Sequence, residues 1–267
     1  MPDPTATRNH PAWRSGLKSV RATALALLEW VAPPCCLLCR LEVEYRHGLC
    51  QGCWAKLPVN EIHCERCALP MAHESLCGHC QRCPPVFDSV IAPLCYQDPI
   101  DQMLCALKYH QQLSFARTAA GLITDTVRES GEPRPDLLVG VPMTHRAVRK
   151  RGLNQAVFLA RLIGRQLGIP AKSTLIKKLR ETDRQSTLNA SKRQRNLKGA
   201  FHCKGSLEDK HIALVDDILT TGATANEISK VLKAAGANRV DIWVCARTPE
   251  VLRRGGLRKK SKSKGNT

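Results

Sequence analysis

The chain is long enough to bury a sizeable hydrophobic core, and it is strongly basic. Its 267 residues suffice for one large domain or two modest ones. Lys and Arg number 41 against 23 Asp and Glu, and the formal net charge of +18 points to anionic partners. Aromatic residues make up only 4% of the chain, which argues against a broad base-stacking surface for single-stranded nucleic acid.

The first predicted element is an amphipathic helix within an N-terminal leader, residues 1–33. Apolar residues recur there at helical spacing, at Leu17, Val20, Ala24, Leu27, Leu28 and Val31. The apolar run is short and is interrupted by Glu29, so a signal peptide is not predicted. No run of about 18 apolar residues occurs, so we expect no membrane span and a cytoplasmic protein.

Residues 34–84 are predicted to form a small zinc-binding domain. Ten of the 14 cysteines lie between Cys35 and Cys83. Eight of them form C-x-x-C pairs: Cys36/Cys39, Cys50/Cys53, Cys64/Cys67 and Cys77/Cys80. Two such turns together supply the four thiolates that tetrahedral zinc prefers, and four thiolates leave no open position for a water nucleophile. The pairs therefore predict two structural zinc sites.

Two alternatives remain for the cysteine-rich segment. Cys35 adjoins Cys36, and Cys83 forms a further C-x-x-C pair with Cys80, so either could replace an assigned ligand. A disulfide framework is the competing interpretation. It is disfavoured because nothing else in the sequence is typical of a secreted protein.

Residues 85–250 show strand-like apolar stretches that alternate with helical segments. Strands are predicted within 86–96, 136–142, 211–215 and 240–246, and helices at 98–110, 113–129, 152–168 and 223–235. This order predicts an α/β fold with a parallel sheet covered by helices on both faces. Residues 251–267 form a basic tail that we expect to be disordered. The seven Lys and Arg from Arg253 onward leave +18 − 7 = +11 for the rest, so the positive charge extends beyond the tail.

The stretch IALVDDILTTGAT, residues 212–224, carries the clearest chemical signal. Asp216 and Asp217 follow an apolar strand, Ile212–Val215, and so lie at the carboxyl end where open α/β sheets bind ligands. The turn Thr220–Thr224 then leads into a helix, whose first N–H groups attract anions. A phosphorylated ribose satisfies both features, because its phosphate suits the helix start and its hydroxyls suit the carboxylates.

A plain helix cap is the alternative interpretation of this stretch. In that case Thr221 would cap the helix while Asp216 and Asp217 remain in solvent. A cap needs only one such residue and gains nothing from two adjacent like charges, so this alternative is disfavoured.

Two further polar segments are candidates for contact with anions. Arg146, Arg149, Lys150 and Arg151 follow the strand at 136–142 and precede Gly152. This cluster suits a pyrophosphate with Mg²⁺, and a solvated basic turn is the alternative. Residues 180–196 are long, polar and charged, which is typical of a lid or of a disordered segment.

The motif LVDDILTTGAT is similar to the phosphoribosyl-pyrophosphate (PRPP) motif of type I phosphoribosyltransferases. The wider pattern resembles the ComF family, also called ComF/GntX, which is tied to DNA uptake and competence. This resemblance covers roughly residues 33–248. Besides the PRPP motif and the cysteine pairs, it is carried by CPPVFD (83–88), ALKYH (106–110), VPMTHRAVRKRGLNQA (141–156) and RQSTLNASKRQRNLKGAF (184–201).

The resemblance implies a type I phosphoribosyltransferase-like fold for residues 85–250 and roles for the site residues. Asp216 and Asp217 would be catalytic and hold the ribose hydroxyls. The 5′-phosphate of PRPP would be bound by Thr220, Thr221, Gly222, Ala223 and Thr224. The pyrophosphate side, with Mg²⁺, would be formed by Arg149, Lys150, Arg151 and Gly152, and residues 180–196 would close over the site as a flap.

Two classes of function are compatible with these residues. As an enzyme, the protein would let a nitrogen nucleophile displace pyrophosphate from C1 of PRPP, with an acceptor that the sequence does not identify. As a binding module without turnover, it would hold single-stranded DNA on its zinc domain and basic surfaces. A third, weaker interpretation makes the zinc domain a docking platform for a helicase or a DNA-uptake protein.

Overall fold

A computed structural model of the chain describes residues 35–41, 45–110, 112–181 and 197–250. The predicted N-terminal helix, most of the 180–196 segment and the basic tail lie outside these residues. The chain divides into two compact units, Met1–Trp54 and Ala55–Thr267. No helix in the described part is long and apolar enough to cross a membrane.

The described part of the first unit consists of short turns around its cysteines. A 3₁₀ turn covers Arg46–Gly48, and one helical turn covers Gln51–Trp54. The Trp54 ring lies 6.2 Å from the ring centroid of Tyr45 and 5.9 Å from that of His47. These aromatic contacts hold the turn that carries Cys50 and Cys53.

The second unit is built on a parallel sheet with the strand order β1–β7–β6–β3, and β2 continues the edge next to β7. Its strands are β1 (Ser89–Ile91), β2 (Leu94–Cys95), β3 (Leu137–Gly140), β6 (His211–Leu219) and β7 (Arg239–Arg247). A separate antiparallel pair consists of β4 (Ile176–Lys178) and β5 (Phe201–Cys203). The parallel sheet confirms the predicted fold class.

Helices cover both faces of this sheet, as predicted. They are α1 (Ile100–His110), α2 (Leu113–Glu129), α3 (His145–Arg151), α4 (Gln155–Leu167) and α5 (Ala223–Ala234), and a further helical turn covers Gly78–Arg82. Successive strand residues point to opposite faces. Leu137 and Val139 belong to the core cluster that includes Ile228 of α5, whereas Leu138 between them lies next to Gly164 of α4.

The carboxyl end of β3 is joined closely to the start of α4. A Cβ atom at Gly140 would lie 2.5 Å from the backbone nitrogen of Val157, so only glycine fits there. The Asn154 side chain accepts a hydrogen bond from Val157 N (3.2 Å) and donates one to the Val141 carbonyl (3.1 Å). Asn154 therefore caps α4 and fixes it to the edge of the sheet at which ligands bind in open α/β folds.

Candidate functional site

The two adjacent aspartates lie inside β6, not after its end. Pairing with β7 continues past them, with Asp216 opposite Val244 and Leu219 opposite Arg247. The predicted strand end at Val215 is therefore wrong, because the neighbouring strand supplies backbone partners that the apolar pattern does not reveal. Since strand side chains alternate in direction, Asp216 and Asp217 point to opposite faces of the sheet.

Asp216 shares a small cavity with the turn that follows β6. This turn, Thr220–Thr224, is called the phosphate loop below. The cavity has a volume of about 110 Å³ and is lined by Asp216, the whole phosphate loop and Val141 from the end of β3. The structure thus brings one predicted carboxylate and all five predicted loop residues to a single site.

The phosphate loop leaves the start of α5 open toward this site. Gly222 is the N-cap residue, with a φ of 78°, and it has no side chain to bond to the first turn of the helix. The Thr221 hydroxyl accepts a hydrogen bond from Ala223 N at 3.3 Å, but Thr221 does not occupy the cap position. The unsatisfied N–H groups and the helix dipole therefore favour an anion here.

Asp217 lies in different surroundings and is only 6% exposed. Burial raises the pKa of the Cys245 thiol to about 12, and the nearby charge of Asp217 acts in the same direction. The pKa of Tyr96 is raised by burial, by Cys105 and, to a smaller extent, by Asp217. Asp217 thus lies among buried groups and is not among the residues that line the small cavity.

The eight predicted zinc ligands gather into two quartets. The first quartet is Cys36, Cys39, Cys50 and Cys53, the second is Cys64, Cys67, Cys77 and Cys80, and within each the sulfur atoms lie within 4.8 Å of one another. The Sγ–Sγ distances are 3.6 Å for Cys39–Cys50 and 3.7 Å for Cys67–Cys77. Four thiolates about 2.3 Å from one metal require similar separations, so both quartets fit tetrahedral zinc.

Backbone hydrogen bonds prepare each quartet to hold a cation. Burial opposes ionisation of Cys36, but N–H groups including that of Cys50 outweigh it and lower the pKa to about 6. The pKa of Cys64 is lowered to about 7 in the same way, mainly by the N–H of Cys77. Burial and the neighbouring thiols raise the pKa of Cys53 to about 12. Each quartet thus includes one readily ionised thiol, Cys36 or Cys64, whereas a metal bound in the first quartet would have to deprotonate Cys53.

Comparison with known proteins finds two family models that match different parts of the chain. A family model described as a phosphoribosyl transferase domain matches residues 107–263, and one described as a double zinc ribbon domain matches residues 27–81. The DNA utilization protein YhgH of Salmonella typhi is 34% identical over 222 residues, which cover 81% of this chain and 98% of that protein. Competence protein F of Haemophilus influenzae is 32% identical over 221 residues, covering 79% and 96%. The chain belongs to the ComF family.

A more distant ComF relative extends the same pattern. Competence protein ComFC of Bacillus subtilis is 26% identical over 200 residues, which cover 70% of this chain and 79% of that protein. The family assignment, the type I phosphoribosyltransferase fold and the pair of four-cysteine clusters predicted from the sequence are therefore confirmed.

The basic cluster of this ComF-family chain forms a helix and not a turn. It lies in α3, which Thr144 caps by accepting a hydrogen bond from Ala147 N at 3.2 Å, and which ends at Gly152 with a φ of 76°. Arg149 and Lys150 are exposed on the surface of the described part of the chain. The small cavity is not lined by any residue from Arg149 to Gly152, so their assignment to the pyrophosphate side stays a prediction.

Arg247 is a residue of this site that sequence reasoning missed. It ends β7, is 2% exposed, and donates hydrogen bonds to the carbonyls of Cys67 in the second quartet and of Thr220 in the phosphate loop. The only signal in the sequence is an arginine after an apolar strand. That signal is also typical of an exposed arginine, so burial and carbonyl partners could be found only from the structure.

Proposed function

We propose that this ComF-family protein binds PRPP with Mg²⁺ at the phosphate loop. The observation that supports this most directly is the cavity shared by Asp216 and Thr220–Thr224, next to the uncapped start of α5. In this proposal, the loop N–H groups and threonine hydroxyls hold the 5′-phosphate. Asp216 accepts hydrogen bonds from the ribose hydroxyls, and Asp217 supports that arrangement from within the sheet.

The remaining predicted groups fit the other end of the same ligand. Arg149, Lys150 and Arg151 would hold the pyrophosphate, since Arg binds phosphate oxygens in pairs and Lys acts as a point charge. Mg²⁺, when bound with PRPP, would neutralise charge on this leaving group. We infer a phosphoribosyl transfer to a nitrogen acceptor in a reducing cytoplasm, where cysteine thiols remain available to zinc.

A direct test is the thermal stability of the protein with and without PRPP and Mg²⁺. A ligand that binds only the native state raises the melting temperature in a concentration-dependent way. We expect a saturable rise with PRPP plus Mg²⁺ and a smaller one with Mg²⁺ alone. An unchanged melting temperature at millimolar PRPP would exclude this proposed function.

A role with single-stranded DNA is the second candidate, and the relatives support it. Those relatives are called DNA utilization protein and competence protein, and this chain carries a net charge of +18. In this role, the phosphoribosyltransferase scaffold would bind DNA or dock a helicase or DNA-uptake protein without turnover. We expect an affinity for single strands that falls steeply with salt. If deletion of residues 253–267 abolishes all binding, the interaction belongs to the tail alone.

A further inference from the structure

The Arg247 side chain joins the second cysteine quartet to the phosphate loop. Its Nε donates to the Cys67 carbonyl at 2.8 Å. Its Nη1 donates to the Leu219 carbonyl at 2.9 Å, to the Thr220 carbonyl, and to the Thr248 carbonyl at 3.2 Å. A single buried guanidinium therefore bonds to a metal-ligand residue and to the first residue of the loop.

The segment that follows the second quartet makes another connection to the same loop. The Asn226 side chain, in the first turn of α5, accepts a hydrogen bond from Val86 N at 2.7 Å. The Phe87 ring lies beside Gly222, at 3.8 Å from the position that a Cβ atom would occupy there. The loop thus lies between Arg247 on one side and the segment after Cys83 on the other.

The space between these connections is not filled. A cavity of about 310 Å³ separates the second quartet from the phosphate loop, and its lining includes Cys77, Cys80, Phe87, Thr221 and Arg247. The quartet and the residues that flank the loop share a hydrophobic cluster through Phe87 and Leu219, but the cavity interrupts close packing at this point. The hydrogen bonds of Arg247 and Asn226 connect the two sides of this cavity.

The negative charge of a zinc-loaded second quartet also favours the position of the Arg247 guanidinium beside it. A zinc ion with four thiolates carries a net charge of −2, and the Arg247 guanidinium bonds to a residue of that site. Burying an arginine without a compensating partner is costly. A metal-loaded quartet with four thiolates provides such a negative charge near Arg247.

We propose that Arg247 is a positioning residue through which metal loading of the second quartet sets the affinity of the phosphate loop for its ligand. Zinc in this quartet holds the Cys67 carbonyl in place, Arg247 transmits that position to Leu219 and Thr220, and the first turn of α5 stays aligned for a phosphate. The effect on PRPP affinity rests on the proposed function. The mechanical link, by which the second quartet positions the phosphate loop through Arg247, does not depend on it.

Hydrogen exchange of the peptide covering residues 212–224 tests the mechanical link without any ligand. We expect Arg247→Met to keep both zinc ions but to accelerate exchange in this peptide about tenfold. Arg239→Met is the matched control, because Arg239 begins the same strand and pairs with Glu132 and Asp241 at the opposite end. It is expected to lower the melting temperature while exchange in the loop peptide stays unchanged.

Removal of one metal at a time tests the dependence on zinc. Cys80→Ser, which empties the second quartet, is expected to accelerate exchange in 212–224 as Arg247→Met does. Cys53→Ser, which empties the first quartet, is expected to leave it unchanged. Unchanged exchange in Arg247→Met with two zinc ions bound would overturn the inference, and so would equal effects of the two cysteine variants.

Binding measurements then test coupling to the ligand. PRPP with Mg²⁺ is expected to bind Arg247→Met about tenfold more weakly than wild type, with Arg247→Lys in between because lysine keeps the charge but loses the planar fork. By reciprocity, PRPP should strengthen zinc retention by the second quartet in competition with a chelator, and this effect should vanish in Arg247→Met. If Arg247 only stabilised the fold, PRPP binding would not change zinc retention by the second quartet in this Arg247-dependent way. If wild type fails to bind PRPP, the proposed function fails, and the exchange experiment alone decides the inference.

Discussion

At the scale of single residues, the two aspartates are expected to differ in their contribution to ligand binding. Asp216 lines the phosphate-loop cavity, whereas Asp217 is buried near Tyr96 and Cys245. We predict that Asp216→Asn weakens PRPP binding at least tenfold, because it removes a charged acceptor worth about 1.5–3 kcal/mol. Asp217→Asn should weaken binding less. Titration calorimetry distinguishes the variants, and a larger loss for Asp217→Asn would contradict this ranking.

Gly222 permits a second test at single-residue scale. Its φ of 78° is unfavourable for alanine, so Gly222→Ala should cost about 1 kcal/mol of stability and also displace the phosphate loop. Gly168→Ala is the matched control, since Gly168 has a φ of 72°, ends α4 and has open space around it. Urea unfolding should show similar losses for both variants, with weaker PRPP binding only for Gly222→Ala. Equal binding by the two variants would exclude a special role for the loop conformation.

The residues of the loop could be predicted from the sequence, but their orientation could not. Small hydroxyl residues and a glycine between a strand and a helix are typical of an anion-binding turn, and all five line one cavity. The opposite orientations of Asp216 and Asp217 depend on how far β7 pairs with β6, which is a non-local property. The link made by Arg247 joins residues 180 positions apart in the chain, and no local pattern records it.

At the scale of elements, the amino ends of β6 and β7 form a charged cluster on the edge opposite to the site. The Asp241 carboxylate accepts hydrogen bonds from His211 (2.7 Å) and Arg239 (2.9 Å). Burial alone would raise its pKa, but these bonds and that of Ser89 outweigh burial and lower the pKa below 3.8. The carboxylate form is therefore stabilised by folding.

This shift predicts a pH-dependent stability contribution. Because the folded pKa of Asp241 is depressed, its contribution is fully present above about pH 3.8 and is lost as the pH falls through the lower, folded-state pKa. Asp241→Asn should therefore cost about 2 kcal/mol at pH 7, and the difference from wild type should shrink below pH 3.8. Urea unfolding at several pH values measures this difference. A constant difference would show that packing, not charge, accounts for the effect.

Most elements of the second unit follow from apolar periodicity, and the exceptions have a physical cause. α2 (Leu113–Glu129) begins and ends where the sequence predicts, because its apolar face repeats at helical spacing and packs against α4. The β4–β5 pair does not follow from the sequence, since its two short strands are separated by the long polar segment and depend on each other for hydrogen bonds. The basic cluster before Gly152 is not predicted as a helix because most of its residues are charged and show no apolar periodicity. The structure shows a short helix there, which Thr144 caps.

At the scale of the whole molecule, metal content tests the division into two cysteine quartets. We predict about two zinc ions per chain by elemental analysis, since each quartet has the sulfur separations of a tetrahedral site. Cys53→Ser and Cys80→Ser should each reduce the content to about one. Cys35→Ser and Cys83→Ser are controls, because neither residue belongs to a quartet in the described part of the chain. A content of one or none in wild type would contradict the assignment.

The most direct measurement is a crystal structure of the protein soaked with PRPP and Mg²⁺. We predict electron density for the 5′-phosphate against the backbone N–H groups of Thr221–Thr224, with the ribose hydroxyls within hydrogen-bonding distance of Asp216. Density at another place on the molecule, or an empty phosphate loop at saturating PRPP, would contradict the assignment of this loop as the ligand site.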